Sequence, residues 1–303
     1  MTIPDGTFDG AGALKQIENN QALVVPYADR VRLLADRLGQ DFDATIQVFD
    51  NLPLAQNGER HRILRAKTAQ FLALGRARLR LELPSLVARH FNHLKTSDTL
   101  DMMKEIVVPF VDDCLAVITE VEGCFESDSM ISRVFSQSAG VAKRRRLNGE
   151  LVSLRQRIED KCPFAETNDV RITLMILGRD ALIGTLAGSL VLYFKQLAGR
   201  QLSEEIFDSM PTRTGVPYID RIMPDGKAVR CALSGLRGDQ RSGFFGKGAH
   251  VCLGRAITTE IFSEVSQFLS HVDRCVDVRT YHLRKDDVFD IPEIFEVDLW
   301  TKK

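Results

Sequence analysis

Between Phe245 and Gly254 the chain reads Phe-Gly-Lys-Gly-Ala-His-Val-Cys-Leu-Gly, and its most reactive group is the Cys252 thiol. Gly246, Gly248 and Gly254 argue against a regular element and for turns with close backbone approach. Beyond them Leu253, Ile257, Ile261, Val265, Phe268 and Val272 recur at three- or four-residue steps, which predicts a helix from about Cys252. A thiol at a helix N-terminus meets unpaired N–H groups and the positive end of the dipole, and both favour the thiolate. Such a sulfur is a ready ligand for a soft metal centre, heme iron foremost. The plain alternative is a buried cysteine packed as a small hydrophobe beside a glycine turn.

A second pair lies far upstream. His61 and Arg65 are four residues apart on a helix predicted to start near Glu59, so both can reach one anionic group. Arg60, Arg62, Lys67, Arg76, Arg78 and Arg80 crowd the same region, so a solvated basic face is the competing reading. His90 and His93 have metal-ligand spacing but no carboxylate or thiol close in sequence, and are expected to be a surface pair.

Phe245, Gly246, Gly248, His250, Cys252 and Gly254 match, position for position, the heme-ligand signature of the cytochrome P-450 family, and the chain resembles that family from about residue 22 onward. The resemblance implies heme b (iron protoporphyrin IX) with Cys252 as axial ligand. His61, Arg65 and His250 would hold the propionates, and Phe245 would pack near the sulfur. Arg221, in Tyr-Ile-Asp-Arg-Ile, resembles a further propionate-binding arginine, and Arg213 could serve equally. Leu177-Gly178-Arg179-Asp180-Ala181 resembles the centre of the family's long helix, which makes Asp180 the catalytic candidate.

The chain departs from the family in two places. Ala181 replaces the alcohol that should follow the acid, and Thr185 is off the face of Asp180. No Glu-x-x-Arg occurs between 199 and 245, which implies a rebuilt support behind the heme. The resemblance therefore implies oxidation of a small-molecule substrate, with a ferredoxin or flavodoxin-type electron donor. A peroxide-using form, a rearrangement or dehydration without oxygen insertion, and a non-catalytic accessory or dimerisation partner are the alternatives. Lys247, Arg237, Arg241 and Arg255 would offer a basic surface to an acidic donor, or are simply solvated.

The elements that must position these groups follow from periodicity. The reading is mainly α with a small β portion, a shortened P-450-like fold. It is one heme-thiolate domain over 1–303, with 1–20 as an extension of no clear period and 21–303 as core. Leu23-Val24-Val25 predicts an extended piece ended by Pro26. A helical stripe covers Thr99 to Glu120, interrupted at Pro109. Further helices are expected over 129–139, from Leu147 to Pro163, and from an Asn168 or Asp169 cap to about Leu197. In that last helix Gly178, Gly184 and Gly188 would admit a flat ligand or allow close packing. A short helix is expected over Ser203 to Asp208, and strands over Cys275 to Leu283 and around Phe295, Val297 and Leu299.

The 303 residues are 44% hydrophobic and 27% charged with net charge −1, which supports neither nucleic-acid binding nor a polybasic membrane anchor. The apolar run Ala181 to Phe194 is too short to span a bilayer and reads as a core helix. Six cysteines without regular spacing, and no signal peptide, lead to the expectation of reduced thiols in a cytoplasmic protein. A fold with elements missing exposes apolar surface that a second subunit could cover.

Overall fold

A computed structural model describes residues 6–18, 23–123, 131–136, 138–163, 165–284 and 288–302. Helices dominate: α1 (Gly10–Glu18), α2 (Tyr27–Leu38), α3 (Asp43–Asn51), α4 (Gly58–Phe91), α5 (Val108–Thr119), α6 (Val141–Lys161), α7 (Asn168–Leu197) and α8 (Arg255–Leu269). Two three-stranded sheets complete the fold. One has the order β1 (Gly6–Phe8), β4 (Ala228–Ala232), β3 (Tyr218–Ile222); the other has β2 (Thr99–Asp101), β6 (Pro292–Trp300), β5 (Cys275–Leu283).

The main core lies where α4, α5, α7 and α8 meet the second sheet, with Phe91, Phe110, Phe194, Phe262 and Phe295 essentially removed from solvent. Helix α4 crosses α5 so closely that a Cβ on Gly75 would lie 2.9 Å from the Ile118 carbonyl oxygen. Two ion pairs then strap α4 to α8. Arg76 Nε and Arg80 Nε donate to Glu260 Oε1 at 2.9 and 2.8 Å. This strap holds the helix of His61 and Arg65 against the helix that follows Cys252. The arginines keep the Glu260 pKa below its ordinary 4.5 despite its burial. A depressed folded-state pKa contributes stability above the unfolded value and loses it as pH falls through the folded one. Glu260→Gln should therefore lower the melting temperature at neutral pH by the equivalent of about 1 kcal/mol. The difference from the parent protein should shrink as pH falls below 4.5 and vanish once Glu260 is protonated in the folded protein as well.

Several expectations change on contact with the fold. Residues 6–18 are no loose extension: β1 pairs in parallel with β4, and Ala13 and Ile17 are buried against Cys231, Leu233 and Phe244. The run is too short for its period to show. Helix α7 is one 30-residue element, long and apolar enough to cross a membrane by composition; 72% of its most apolar window is buried in the protein. Its burial, not its length, makes it a core helix. Asn168 and Asp169 do not cap it. Asn168 Nδ2 donates to the Cys162 carbonyl, and Asp169 accepts from Arg155.

The 99–120 stripe opens as strand β2 and a π-helical turn, Met102–Val107, before α5 begins with Pro109 in its first turn, where no N–H is missed. Within 129–139 the described part is a 3₁₀ turn, Ile131–Phe135; residues 129–130 and 137 lie outside the described residues, as does Cys124. In place of a helix over Ser203 to Asp208 there is a 3₁₀ turn, Leu202–Glu204, followed by extended chain. His90 is buried, its Nε2 2.8 Å from Asp113 Oδ2, so it is a satisfied core histidine. The two C-terminal strands form as expected, paired antiparallel.

Candidate functional site

The cysteine loop is closed by its own backbone. A 3₁₀ stretch, Gly238–Phe245, leads into it. Gly246 and Gly248 then take φ values of 69° and 66°, in the left-handed region where a side chain is strained. Their turns fold the chain back so that the Cys252 N–H donates to the Phe245 carbonyl at 2.6 Å. Helix α8 starts at Arg255, three residues later than the periodicity predicts. The backbone N–H groups of Gly254 and Arg255, at that helix start, act on the sulfur and favour its anion. Phe245 is buried, with the Arg255 guanidinium 5.7 Å from its ring centroid.

Cys252 as a residue is exposed, yet protein surrounds its sulfur closely enough for burial to be the largest influence on its pKa. Burial raises the pKa; the Gly254 N–H, the Arg65 charge and the Arg255 N–H act against it, and burial prevails. The expected thiolate is thus not the resting form of the bare protein.

Beside Cys252 four basic side chains converge from three parts of the chain. His61 on α4 is buried and stacks on His250 of the loop, ring centroids 4.0 Å apart. His61 Nε2 and His250 Nδ1 are buried without a hydrogen-bond partner among the described residues. Arg65, one turn along α4, is half-buried and feels the Cys252 charge; Arg221, from β3, is buried and acts on His250. Among the described residues neither Arg65 nor Arg221 forms an ion pair with a carboxylate. Arg221 donates to the Asp220 carbonyl, while the Asp220 carboxylate is taken by Arg230.

The electrostatic cost of this gathering is visible. Burial, then Arg65, lowers the His61 pKa. Burial, then His61, Arg221 and Arg65, lowers that of His250 to about 4. Burial likewise lowers both arginines. Buried donors held without acceptors, beside two uncompensated cations, are costly unless an anion joins them. A flat dianionic group whose iron meets Cys252 fits this donor set. Arg213, the other arginine considered, lies elsewhere: its Cδ would be 3.0 Å from a Cβ on Gly188 of α7.

Asp180 sits on α7 just after a π-helical turn, Leu174–Gly178, that re-aims the side chains following it. Its carboxylate is buried and engaged. Arg179 Nη1 donates to Oδ1 at 3.3 Å, Ser132 Oγ donates to Oδ2, and Arg284 Nη2 lies 3.7 Å from Oδ2. Arg179 also forks onto Asp112 of the facing α5 at 2.6 and 2.9 Å. Thr185 turns away, donating to the Ala181 carbonyl at 2.7 Å and accepting from the Gly215 N–H at 2.9 Å. The hydroxyl beside the acid is Ser132, 48 residues earlier, and no local motif announces it. Gly184 and Gly188 admit protein, not a flat ligand: Gly215 and Asp290 press on the first and Arg213 on the second. Gly178 is more open, with only Leu115 Cδ2 near its missing Cβ, at 3.8 Å.

No protein-family model matches this chain, and no curated protein matches it by sequence. Solved structures do. It is similar to P450BioI in complex with acyl carrier protein carrying hexadec-9Z-enoic acid, with a TM-score of 0.71 and 12% identity over 95% of this chain and 89% of that one. It is also similar to a versatile cytochrome P-450 enzyme from Bacillus subtilis (TM-score 0.65, 12% identity, 97% and 92% covered). A thermophilic cytochrome P-450 from Sulfolobus tokodaii gives a TM-score of 0.64 at 15% identity, with 96% and 92% covered. The chain has the cytochrome P-450 fold.

Proposed function

We propose that this protein is a heme-thiolate oxidoreductase acting on a small organic molecule. The observation that carries the reading is the convergence of Cys252 with the buried nitrogens of His61 and His250 that lack a partner among the described residues and with the charges of Arg65 and Arg221, which pair with no carboxylate among them. Cys252 would ligate the iron, and His61, Arg65, His250 and Arg221 would take the propionates in charge-assisted hydrogen bonds. Bound there, thiolate-ligated heme supplies the means to cleave an O–O bond and oxidise a substrate by one oxygen atom. The N–H groups of Gly254 and Arg255 would spread charge from the sulfur, and Phe245 would shield its flank from water.

Asp180 has a narrower role than an acid–alcohol pair would give it. With its oxygens held by Ser132 and Arg179, it can orient polar groups beside α7 and maintain a hydrogen-bonded path through the Ser132 hydroxyl. The absence of an alcohol at Ala181 favours peroxide, or a rearrangement or dehydration, as the second reading within the same site. Where electrons are needed, a ferredoxin or flavodoxin-type donor would meet Arg237 and Arg255. Lys247 and Arg241 are already paired, with Glu18 and Asp208.

Titration of the purified protein with hemin tests the assignment. A 1:1 complex is expected, and His61→Ala and Arg65→Ala should each weaken it by about 10- to 100-fold, the scale of a hydrogen bond to a charged group. Undiminished affinity in both variants would remove these residues from the site, and no uptake by the parent protein would leave the accessory role.

A further inference from the structure

Two limbs carry Cys252: the 3₁₀ stretch Gly238–Phe245 before it and α8 after it. Their relative position fixes the sulfur, because the Phe245 carbonyl at the end of the first limb holds the Cys252 N–H. One short segment, Phe207 to Met210, touches both. Along α8 it runs over Thr259, Phe262 and Ser266, which are spaced by three and four and so share one stripe.

Phe207 stacks on Phe262 with ring centroids 5.5 Å apart and planes at 19°. The Phe207 carbonyl accepts from Ser266 Oγ, and Met210 Sδ lies 3.7 Å from Thr259 Oγ1, whose hydroxyl donates to the Arg255 carbonyl at 3.0 Å. From α7, the Tyr193 ring meets Phe207 edge-on at 5.3 Å and its hydroxyl reaches the Leu202 and Glu205 carbonyls, so the segment is backed by the core. Toward the other limb, Asp208 Oδ2 accepts from Arg241 Nη1 at 2.7 Å, while Oδ1 is fixed by the Met210 N–H at 2.9 Å. Arg241 Nε is held in turn by the Gly238 carbonyl at 3.2 Å.

We infer that residues 207–210 form a clip across the two limbs of the cysteine loop, with Asp208 and Arg241 as positioning residues that set where the Cys252 sulfur stands. The inference rests on the heme-thiolate reading for its consequence at iron, and on geometry alone for its consequence at the thiol. Phe207 is essentially buried, so the α8 side of the clip is a packing contact. The Arg241 side is a partly exposed ion pair with side chains 27% and 37% accessible. A pair of that kind adds little to global stability. Its loss should free one limb and leave the fold standing.

The test compares the parent protein with Asp208→Ala, Arg241→Ala and the exchanged pair Asp208→Arg with Arg241→Asp. Before heme is added, the rate of Cys252 alkylation by iodoacetamide, followed by peptide mass spectrometry, should rise about fivefold in each single variant. It should return toward the parent rate in the exchanged pair, with melting temperatures unchanged. After hemin loading, reduction and carbon monoxide, uptake should be preserved while the far-red-shifted Soret component falls in the single variants and recovers in the exchanged pair. Parent-like alkylation and spectra in both single variants would overturn the clip. So would losses that the exchanged pair fails to restore. A parent protein lacking the far-red component would instead defeat the heme-thiolate reading, and the alkylation rates would still decide the clip.

Discussion

Cys252→Ser protein, loaded with hemin, reduced and exposed to carbon monoxide, is expected to lose the far-red-shifted Soret band entirely. A serine hydroxyl keeps the size and the loop hydrogen bonds of cysteine but does not ionise toward iron in the way a thiol does. Hemin uptake should fall less than the band does, because His61, Arg65, His250 and Arg221 are left in place around the propionates. Any substrate oxidation should fall to background, since the electron push that favours O–O cleavage comes from the thiolate. Visible spectroscopy of the two proteins side by side checks the first point, and turnover checks the second. A surviving far-red band would mean that another residue ligates the iron.

Gly184→Ala should be the most damaging single-carbon change on α7. The added Cβ would stand 2.4 Å from the Asp290 carbonyl oxygen and 2.9 Å from Gly215 Cα, and both are backbone atoms with no rotamer to yield. Overpacking of this kind costs roughly 1–3 kcal/mol or more, against about 1 kcal/mol regained from helix propensity. A net loss of about 2 kcal/mol, or roughly 5 °C in melting temperature, is expected in protein free of heme. The same measurement separates two uses of the glycine. Had it made room for a flat ligand, the heme-free protein would be as stable as the parent or more so, and only hemin affinity would suffer.

What could be read from the sequence was what is local. The Cys252 loop is ten consecutive residues whose glycines impose turns, and the structure closes it as those turns require. His61 and Arg65 are fixed by helical spacing, and Arg221 by a short stretch around it. Everything that depends on distant partners was hidden. Ser132 meets Asp180 across 48 residues, Asp208 meets Arg241 across 33, and Arg76 meets Glu260 across 184, with nothing in either partner's neighbourhood to mark it. Two opposing influences on Cys252 differ in the same way. Helix position is local and favours the thiolate, while burial comes from the whole fold and outweighs it. The strand and helix of residues 6–18 escaped because three and nine residues carry too little period, although their packing on β4 is unambiguous.

The glycines of α7 teach the complementary lesson. Three in one helix signal that space is needed, and the reading offered both a ligand and close packing. Packing is what the fold uses at Gly184 and Gly188, against Gly215 and Arg213 in the stretch that runs on to β3. The pieces that look missing by pattern are thus partly supplied by chain lying directly on helices, as it does again along α8.

One spectrum bears on all of this. Parent protein reconstituted with hemin, reduced and placed under carbon monoxide should show the far-red-shifted Soret band of a thiolate-ligated iron. A colourless protein after refolding with hemin, or a carbon monoxide complex with the ordinary Soret position of a histidine-ligated heme, would contradict the account at its root.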